Sequence, residues 1–174
     1  MELYHRCAET VSKFIKSPVV FVLGLAFLIR ILALYVLDYQ TFSRDEAHWL
    51  KMGINLYQEG LLSESAGTFR PPLYPLLIAL CYNVFDGSEV FLRLIQIVLS
   101  TITCWFLYEI AKSLKGVTAG IIAASIFSLY PLCVFFSVVL LAETLLLFCT
   151  GLIYWCLHRY CISPNYIWAT WIGV

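Results

Sequence analysis

Residues 18–37, PVVFVLGLAFLIRILALYVL, form an apolar run with one charged side chain, that of Arg30. A helix of about 20 residues is about 30 Å long, which matches the hydrocarbon core of a bilayer. Arg6, Lys13 and Lys16 precede the run, and no small-residue cleavage site ends it. We therefore interpret the run as an uncleaved signal anchor, which fixes the chain as a membrane protein.

Composition excludes an ordinary soluble domain. Hydrophobic residues make up 61% of the 174 residues, charged residues only 13%, and the mean hydropathy is +0.86. The formal net charge is zero, so we expect no nucleic-acid partner. The 7 cysteines have no CxxC spacing and lie mostly in apolar runs, which favours small buried residues over a metal or redox centre. With no internal repeat, residues 1–174 are interpreted as one membrane domain.

Further apolar runs predict an all-α, polytopic transmembrane helix bundle. They are Pro71–Phe85, Val90–Ala111, Gly116–Ala142, Thr144–Leu157 and a last run from about Ile162. The run Gly116–Ala142 contains a weak point at Tyr130-Pro131, and we place an outer turn near Ser137–Glu143. We expect the last run to begin a span near residues 162–166 and to stop inside it.

The run Pro71–Phe85 is short for a span, and two arrangements are open. If it lies in the interface, Lys112, Lys115 and His158-Arg159 fall on the cytoplasmic side with the N-terminus, as the positive-inside rule requires. If it crosses, Lys112 and Lys115 move to the outside. The first arrangement fits the charges better, and it places most acids on the non-cytoplasmic face.

The first outer loop holds the polar stretch Phe42-Ser-Arg-Asp-Glu-Ala-His48. Ser43 and Glu46 match a capping box, which predicts the start of a helix. Apolar residues then recur at helical spacing, which predicts an amphipathic helix in the membrane interface, ending at Gly60. These apolar residues are Ala47, Leu50, Ile54 and Tyr57.

Three acids are the candidate catalytic residues: Asp45, Glu46 and Glu143. Asp45 can act as a general base because the cap does not need it. Glu143 is an isolated acid beside long apolar runs. Because an ionisable residue at membrane depth is energetically costly, we interpret it as a functional candidate. Asp45 and Glu143 are also candidate ligands of a divalent metal ion, the one cofactor that we expect. Each acid also has a structural interpretation, because acids stabilise a first helical turn and Glu143 can be an exposed turn residue.

Three arginines near or inside the predicted spans are also considered. Arg70 precedes a Pro-Pro helix start and can hold a lipid phosphate, although headgroup anchoring explains it equally well. Arg30 lies inside the first span, where we expect a partner or a polar cavity. Arg93 begins the run Val90–Ala111, and we expect its long side chain to snorkel toward the interface.

The order of these segments resembles GT-C membrane glycosyltransferases, in the bacterial branch related to protein O-mannosyltransferases and lipid A aminoarabinose transferases. The resemblance covers roughly residues 18–174 as the N-terminal portion of such a module. Its segments are Asp45-Glu46, Arg70-Pro-Pro-Leu-Tyr-Pro75, Phe85-Asp-Gly-Ser-Glu-Val-Phe-Leu-Arg93, Leu129-Tyr-Pro-Leu and Leu140-Leu-Ala-Glu-Thr144.

The resemblance implies a hexosyl or pentosyl transferase, mannosyltransferase-like, that uses a polyprenyl-phosphate sugar donor. The implied acceptor is a glycan, lipid or protein on the non-cytoplasmic face, and the implied location is the bacterial inner membrane. Asp45 would be the base or acceptor-positioning group, and Glu143 would help to bind metal or phosphate.

Two other functions stay open. The chain is shorter than the family's usual length, so it can be a truncated, noncatalytic remnant or a membrane subunit. It can also be a small transporter component, if Arg30, Glu109 and Glu143 line one aqueous path. The clustering of acids on the outside weighs against transport.

Overall fold

The computed structural model describes residues 18–37, 44–59, 71–85, 87–164 and 170 of the chain. Within these residues the chain forms seven helices and no β-strand, which confirms the predicted all-helical class. The helices are α1 (Pro18–Val36), α2 (Arg44–Glu59), α3 (Leu73–Val84), α4 (Glu89–Lys115), α5 (Val117–Leu129), α6 (Pro131–Val138) and α7 (Glu143–Ile162). Ser43, Gly60, Arg70 and most of the predicted last run lie outside the described residues.

In the part of the chain that the structure describes, three helices are long and apolar enough to cross a membrane: α1 with 19 residues, α4 with 27 and α7 with 20. The helices α5 and α6 pass the same test together, although they are bent by 58° at the break between them. If the bent pair counts as one span, the described residues hold four candidate spans. This is the number that the favoured arrangement requires before residue 162.

The helix α3 is apolar but short. Its 12 residues make about 18 Å of helix, which does not cross a hydrocarbon core of about 30 Å. Pro72 lies just before its first residue, where the missing N–H costs little because the first N–H groups of a helix have no helical acceptor. The length of α3 agrees with the arrangement in which Pro71–Phe85 does not cross.

Proline accounts for the break between α5 and α6. Tyr130 is extended (φ −66°, ψ 116°), as the residue before a proline prefers. The predicted weak point at Tyr130-Pro131 is therefore a true break. The predicted turn is also confirmed, because α6 ends at Val138 and α7 begins at Glu143. We call residues 138–142, from the last residue of α6 to the residue before α7, the link.

The central helix of the bundle is α4, which packs against α1, α5, α6 and α7. Small side chains let these helices approach closely, as is common between helices in membranes. A Cβ added to Gly120 would lie 2.8 Å from the Tyr108 ring, so the backbone of α5 at Gly120 packs directly against a side chain of α4. Ala26 and Ala124 are fully buried in the same part of the core.

Arg30 is enclosed in this bundle. Its Nε donates to Ser100 Oγ at 2.9 Å, and its Nη1 donates to the carbonyl of Ala26 at 3.0 Å. The guanidinium also lies 5.6 Å from the ring centroid of Phe127, within cation–π range. The predicted polar partner of Arg30 is therefore confirmed. Because the side chain is fully buried, it lines no aqueous path in the described bundle, which weighs against a transporter.

The helices α2 and α3 pack over one end of the bundle. Their shared core consists of Trp49, Leu50, Met52, Tyr74, Ile78 and Cys81, which contact Leu92 and Leu140. Gly53 permits the close approach of α2 to α3, since a Cβ there would lie 2.3 Å from Cγ2 of Ile78.

The helix predicted after Phe42 is present as α2, and its position in the membrane interface stays a prediction. Of the predicted apolar residues, Leu50 is buried in the protein, whereas Ala47 and Tyr57 are exposed. The face of α2 that packs on protein centres on Glu46, Trp49 and Gly53. On this face a carboxylate finds a partner and a glycine lies against α3.

Charged residues divide between the two ends of the bundle. At the end where α4 and α7 begin lie Glu89 and Glu143, and we call it the acidic end. At the opposite end lie Lys112, Lys115 and Arg159, in the last turns of the same helices, and we call it the basic end. The pair α2–α3 covers the acidic end.

Candidate active site

The link at the acidic end is buried and carries backbone groups that no helix pairs. Val138, Val139 and Leu140 are each 2% exposed or less. Val139 is extended (φ −90°, ψ 142°), so the chain leaves α6 without a further helical turn. Buried backbone N–H and C=O groups need hydrogen-bond partners. Side chains of α4 and α2 supply several of these partners.

Two side chains of α4 hold the link. Arg93 Nη1 donates to the Val138 carbonyl at 2.5 Å. Gln96 Nε2 donates to the carbonyls of Val139 and Leu141 at 3.2 Å and 3.1 Å. These residues lie three apart on one face of α4, so they reach successive carbonyls of the link. The bonds fix the position of the link on the bundle.

Glu46 of α2 reaches the link from the other side. Its Oε1 accepts the Leu140 N–H at 3.0 Å and lies 2.7 Å from Nη2 of Arg93. The Glu46 and Arg93 side chains are only 0% and 2% exposed. A buried ion pair of this kind is costly to break, because removing one partner leaves an unpaired buried charge. The pair therefore ties α2, α4 and the link into one unit.

The prediction that Arg93 snorkels is wrong. The Arg93 side chain points inward because it pairs with the Glu46 carboxylate and donates to the Val138 carbonyl. Glu89, one turn earlier on α4, lies 3.7 Å from its Nη2. Sequence reasoning passed over Arg93 and Gln96 as binding residues. An arginine and a glutamine three residues apart in an apolar span were the available signal, since polar groups at that depth need partners.

Asp45 lies on the exposed side of the first turn of α2, one residue before the anchored Glu46. Its backbone position is therefore fixed by the Glu46–Arg93 pair, while its side chain stays accessible. A base that must receive a substrate needs this combination. The catalytic role of Asp45 stays a prediction.

Glu143 is the first residue of α7 and follows the link directly. Its side chain is half-buried, and its Oε2 is buried with no hydrogen-bond partner among the described residues. A buried carboxylate oxygen without a donor is unfavourable. The simple interpretation as an exposed turn residue therefore does not fit Glu143, and its binding role stays a prediction.

Tyr74 of α3 is a third polar group at this place, one that the sequence analysis did not single out. It is 2% exposed, and its hydroxyl has no hydrogen-bond partner among the described residues. Its ring packs edge-on against Trp49 with centroids 5.4 Å apart, which fixes its orientation. Burial, followed by the Glu46 carboxylate, raises the pKa of Tyr74, with Glu143 adding to the rise and Arg93 opposing it. The hydroxyl is therefore a neutral hydrogen-bond donor at physiological pH.

An apolar cavity of about 180 Å³ lies between α3 and α7 beside these groups. Its lining residues are Pro71, Leu73, Tyr74, Ala142, Leu145, Leu146 and Cys149. Leu73 and Leu146 are 53% and 65% exposed, so the rim of the cavity is apolar on its outer side as well. In a membrane such a rim faces lipid.

The residues that the structure describes bring no three His, Cys, Asp or Glu side chains together. A divalent ion at the acidic end would rest on Asp45 and Glu143, with water or substrate supplying the other ligands. The metal ion stays a prediction, as does phosphate binding by Arg70, which lies outside the described residues.

Comparison with known proteins identifies one family. The model of the dolichyl-phosphate-mannose-protein mannosyltransferase family matches residues 69–174, more than half of the chain. The matched region contains α3 to α7, including Tyr74, Arg93 and Glu143, whereas Asp45 and Glu46 precede it. Neither the curated proteins nor the solved structures contain a match to the chain.

Proposed function

The chain belongs to the dolichyl-phosphate-mannose-protein mannosyltransferase family of membrane glycosyltransferases, and we propose that it moves a sugar from a polyprenyl-phosphate carrier to a hydroxyl acceptor at its acidic end. The observation that carries the proposal is the buried Glu46–Arg93 pair bound to the link. This pair fixes the first turn of α2, with Asp45, relative to the start of α7, with Glu143. The two candidate carboxylates thereby gain a defined placement at one end of the bundle.

The reaction needs little covalent chemistry from the protein. The acceptor O–H bond breaks, Asp45 takes the proton, and the oxygen electron pair forms the bond to the anomeric carbon. The bond from that carbon to the phosphate oxygen breaks, and the polyprenyl phosphate leaves with the bonding pair. Holding the acceptor oxygen in line with that bond accounts for much of the rate enhancement over the uncatalysed reaction. Arg70 is the candidate for binding the phosphate charge.

The charge distribution supports an extracytoplasmic acidic end. Lys112, Lys115 and Arg159 gather at the basic end, which the positive-inside rule assigns to the cytoplasm. The lipid carrier would then present its sugar at the outer face, next to Asp45. An integral, multi-pass protein in a bacterial inner membrane, with its active face in the periplasm, fits this orientation.

The test is sugar transfer by vesicles that contain the full chain, supplied with radiolabelled mannosyl-phosphoryl-polyprenol and membrane extract as the acceptor source. Asp45→Asn should reduce transfer at least about 100-fold, the contribution of a general base, while membrane insertion stays normal. Glu109→Gln, an acid near the basic end, is the matched control and should transfer normally. Near-normal transfer by Asp45→Asn would remove Asp45 from the mechanism. No transfer by the unaltered chain would overturn the proposed function.

A further inference from the structure

One face of α3 is both apolar and exposed. Its four residues, which are 45–59% exposed, are Leu73, Leu76, Leu80 and Val84. At about 100° per residue they fall within an arc of about 80°, so they form one continuous stripe along the helix. We call these four residues the α3 stripe. The opposite face of α3, which includes the fully buried Ile78, packs on α2.

The exposed face of α2 has the opposite character. Most of its residues are polar or charged, namely Arg44, Asp45, His48, Lys51, Gln58 and Glu59. The sequence of α3, by contrast, contains no charged residue. Water and lipid headgroups can solvate the exposed face of α2, whereas the α3 stripe gains free energy only against an apolar neighbour. The two helices therefore need different surroundings.

The first turn of α3 lies at the depth of the outer turns of a span. Leu73 lines the cavity between α3 and α7 together with Leu145, Leu146 and Cys149. These three residues of α7 lie at most about 9 Å along the helix from its first residue, Glu143. Leu146 is 65% exposed, so the stripe begins beside an exposed apolar residue of a span.

The other end of α3 also lies against the start of a span. The rings of Phe85, just after α3, and Phe91, in the first turn of α4, stack with their centroids 4.7 Å apart. Both side chains are partly exposed, at 36% and 46%. The α3 stripe is therefore continuous with exposed apolar residues of α4 at one end and of α7 at the other. Hydrocarbon that contacts the outer turns of these two spans contacts the α3 stripe as well.

We propose that the α3 stripe is a membrane-binding surface, buried in the hydrocarbon of the leaflet at the acidic end, and that the bilayer thereby helps to hold the α2–α3 pair over the candidate active site. Of the two helices expected in the interface, α3 is the one that contacts hydrocarbon. The polar face of α2 stays in water and headgroups, where the Asp45 side chain is accessible. This inference does not rest on sugar transfer.

The experiment measures which quencher reaches a bimane fluorophore on a single cysteine of the full, purified chain in phosphatidylcholine liposomes. The background has no native cysteines. The stripe variant is Leu80→Cys, and the matched control is Lys51→Cys on the exposed face of α2. Since ions are excluded from hydrocarbon, iodide on both sides of the membrane should quench the label at residue 80 at least about tenfold less than the label at residue 51.

A lipid-borne quencher should give the reverse order. Phosphatidylcholine with a nitroxide on carbon 5 of its acyl chain should quench the label at residue 80 more strongly than the label at residue 51. Leu76→Cys, one turn earlier in the stripe, should repeat the pattern of Leu80→Cys. All three side chains are exposed, so a label at any of them leaves the helix packing in place.

Two results would overturn the inference. Strong iodide quenching at residues 76 and 80 would place the α3 stripe in water. Weak quenching there by both quenchers would mean that a second copy of the chain covers the stripe. Because the readout is independent of sugar transfer, a chain that transfers no sugar would overturn the proposed function and leave this inference to the quenching result.

Discussion

The buried pair Glu46–Arg93 gives the sharpest prediction about stability. Three variants test it: Glu46→Gln, Arg93→Met and the double variant. In the native chain Oε1 of Glu46 meets Nη2 of Arg93 at 2.7 Å and the Leu140 N–H at 3.0 Å. Each single change removes one charge and leaves the other buried.

The two single variants should differ. Removing one partner of a buried pair costs about 3–5 kcal/mol of unfolding free energy. After Glu46→Gln, Arg93 keeps Glu89 at 3.7 Å and the Val138 carbonyl, so the loss should be near the lower value. After Arg93→Met, the ion pair with Glu46 and the hydrogen bond to the Val138 carbonyl are both lost, so the loss should be near the upper value.

The double variant leaves no unpaired charge. Its loss should therefore be smaller than the sum of the single losses by about 2 kcal/mol or more. The assay is reversible unfolding of the purified chain in mixed micelles, followed by circular dichroism as the denaturing detergent increases.

The exposed pair Glu109–Lys112, at 3.2 Å near the basic end, is the matched control. Its side chains are 29% and 41% exposed, so solvent screens the interaction, and Glu109→Gln should change the unfolding free energy by less than about 1 kcal/mol. Additive losses for Glu46→Gln and Arg93→Met, or losses as small as that of the control, would refute the assignment of this pair as the tie between α2, α4 and the link.

Three further predictions follow from packing, topology and ionisation. Gly53→Ala should destabilise the chain by about 1–3 kcal/mol through overpacking against α3, whereas Gly24→Ala, with nothing within 4 Å of its Cβ, should be neutral or slightly stabilising. In a background without native cysteines, Asn83→Cys should react with an impermeant maleimide from outside, and Leu114→Cys only after permeabilisation. The unfolded chain loses the Tyr74 proton near pH ~10 while the folded chain keeps it, so stability should fall as the pH rises above that value, and less steeply in Tyr74→Phe.

Each of these predictions has a contrary result. Equal stability of Gly53→Ala and Gly24→Ala, measured in the same detergent titration, would contradict the close approach of α2 to α3. Outside labelling of Leu114→Cys in sealed vesicles would reverse the orientation. An alkaline stability profile unchanged by Tyr74→Phe would show that its hydroxyl is not buried in the folded chain.

Hydropathy and charge predicted the bundle well, because they act over long segments. The span at residues 18–37 and the short helix after Pro71 follow from apolar length, and the break at Tyr130-Pro131 follows from proline chemistry. The turn before Glu143 follows from the polar interruption of an apolar run. These features are local in sequence. A single chain carries enough information to place them.

The interior of the site was less accessible from sequence, because its contacts join distant residues. Glu46 and Leu140 are 94 positions apart, and Arg93 reaches Val138 across 45 positions. The capping box gave Glu46 a sufficient local role, so the sequence did not indicate its ion pair with Arg93. Tyr74 was one aromatic residue among 11 tyrosines until the fold enclosed its hydroxyl.

The most direct test of the central claim uses the purified chain in liposomes with mannosyl-phosphoryl-polyprenol and membrane extract as the acceptor source. Mass spectrometry would measure the freed polyprenyl phosphate and the mannosylated acceptor together. We predict equal amounts of both products from the unaltered chain and at least about 100-fold less from Asp45→Asn. A donor that stays intact with the unaltered chain, under conditions in which the chain is folded, would contradict the claim that it is a glycosyltransferase.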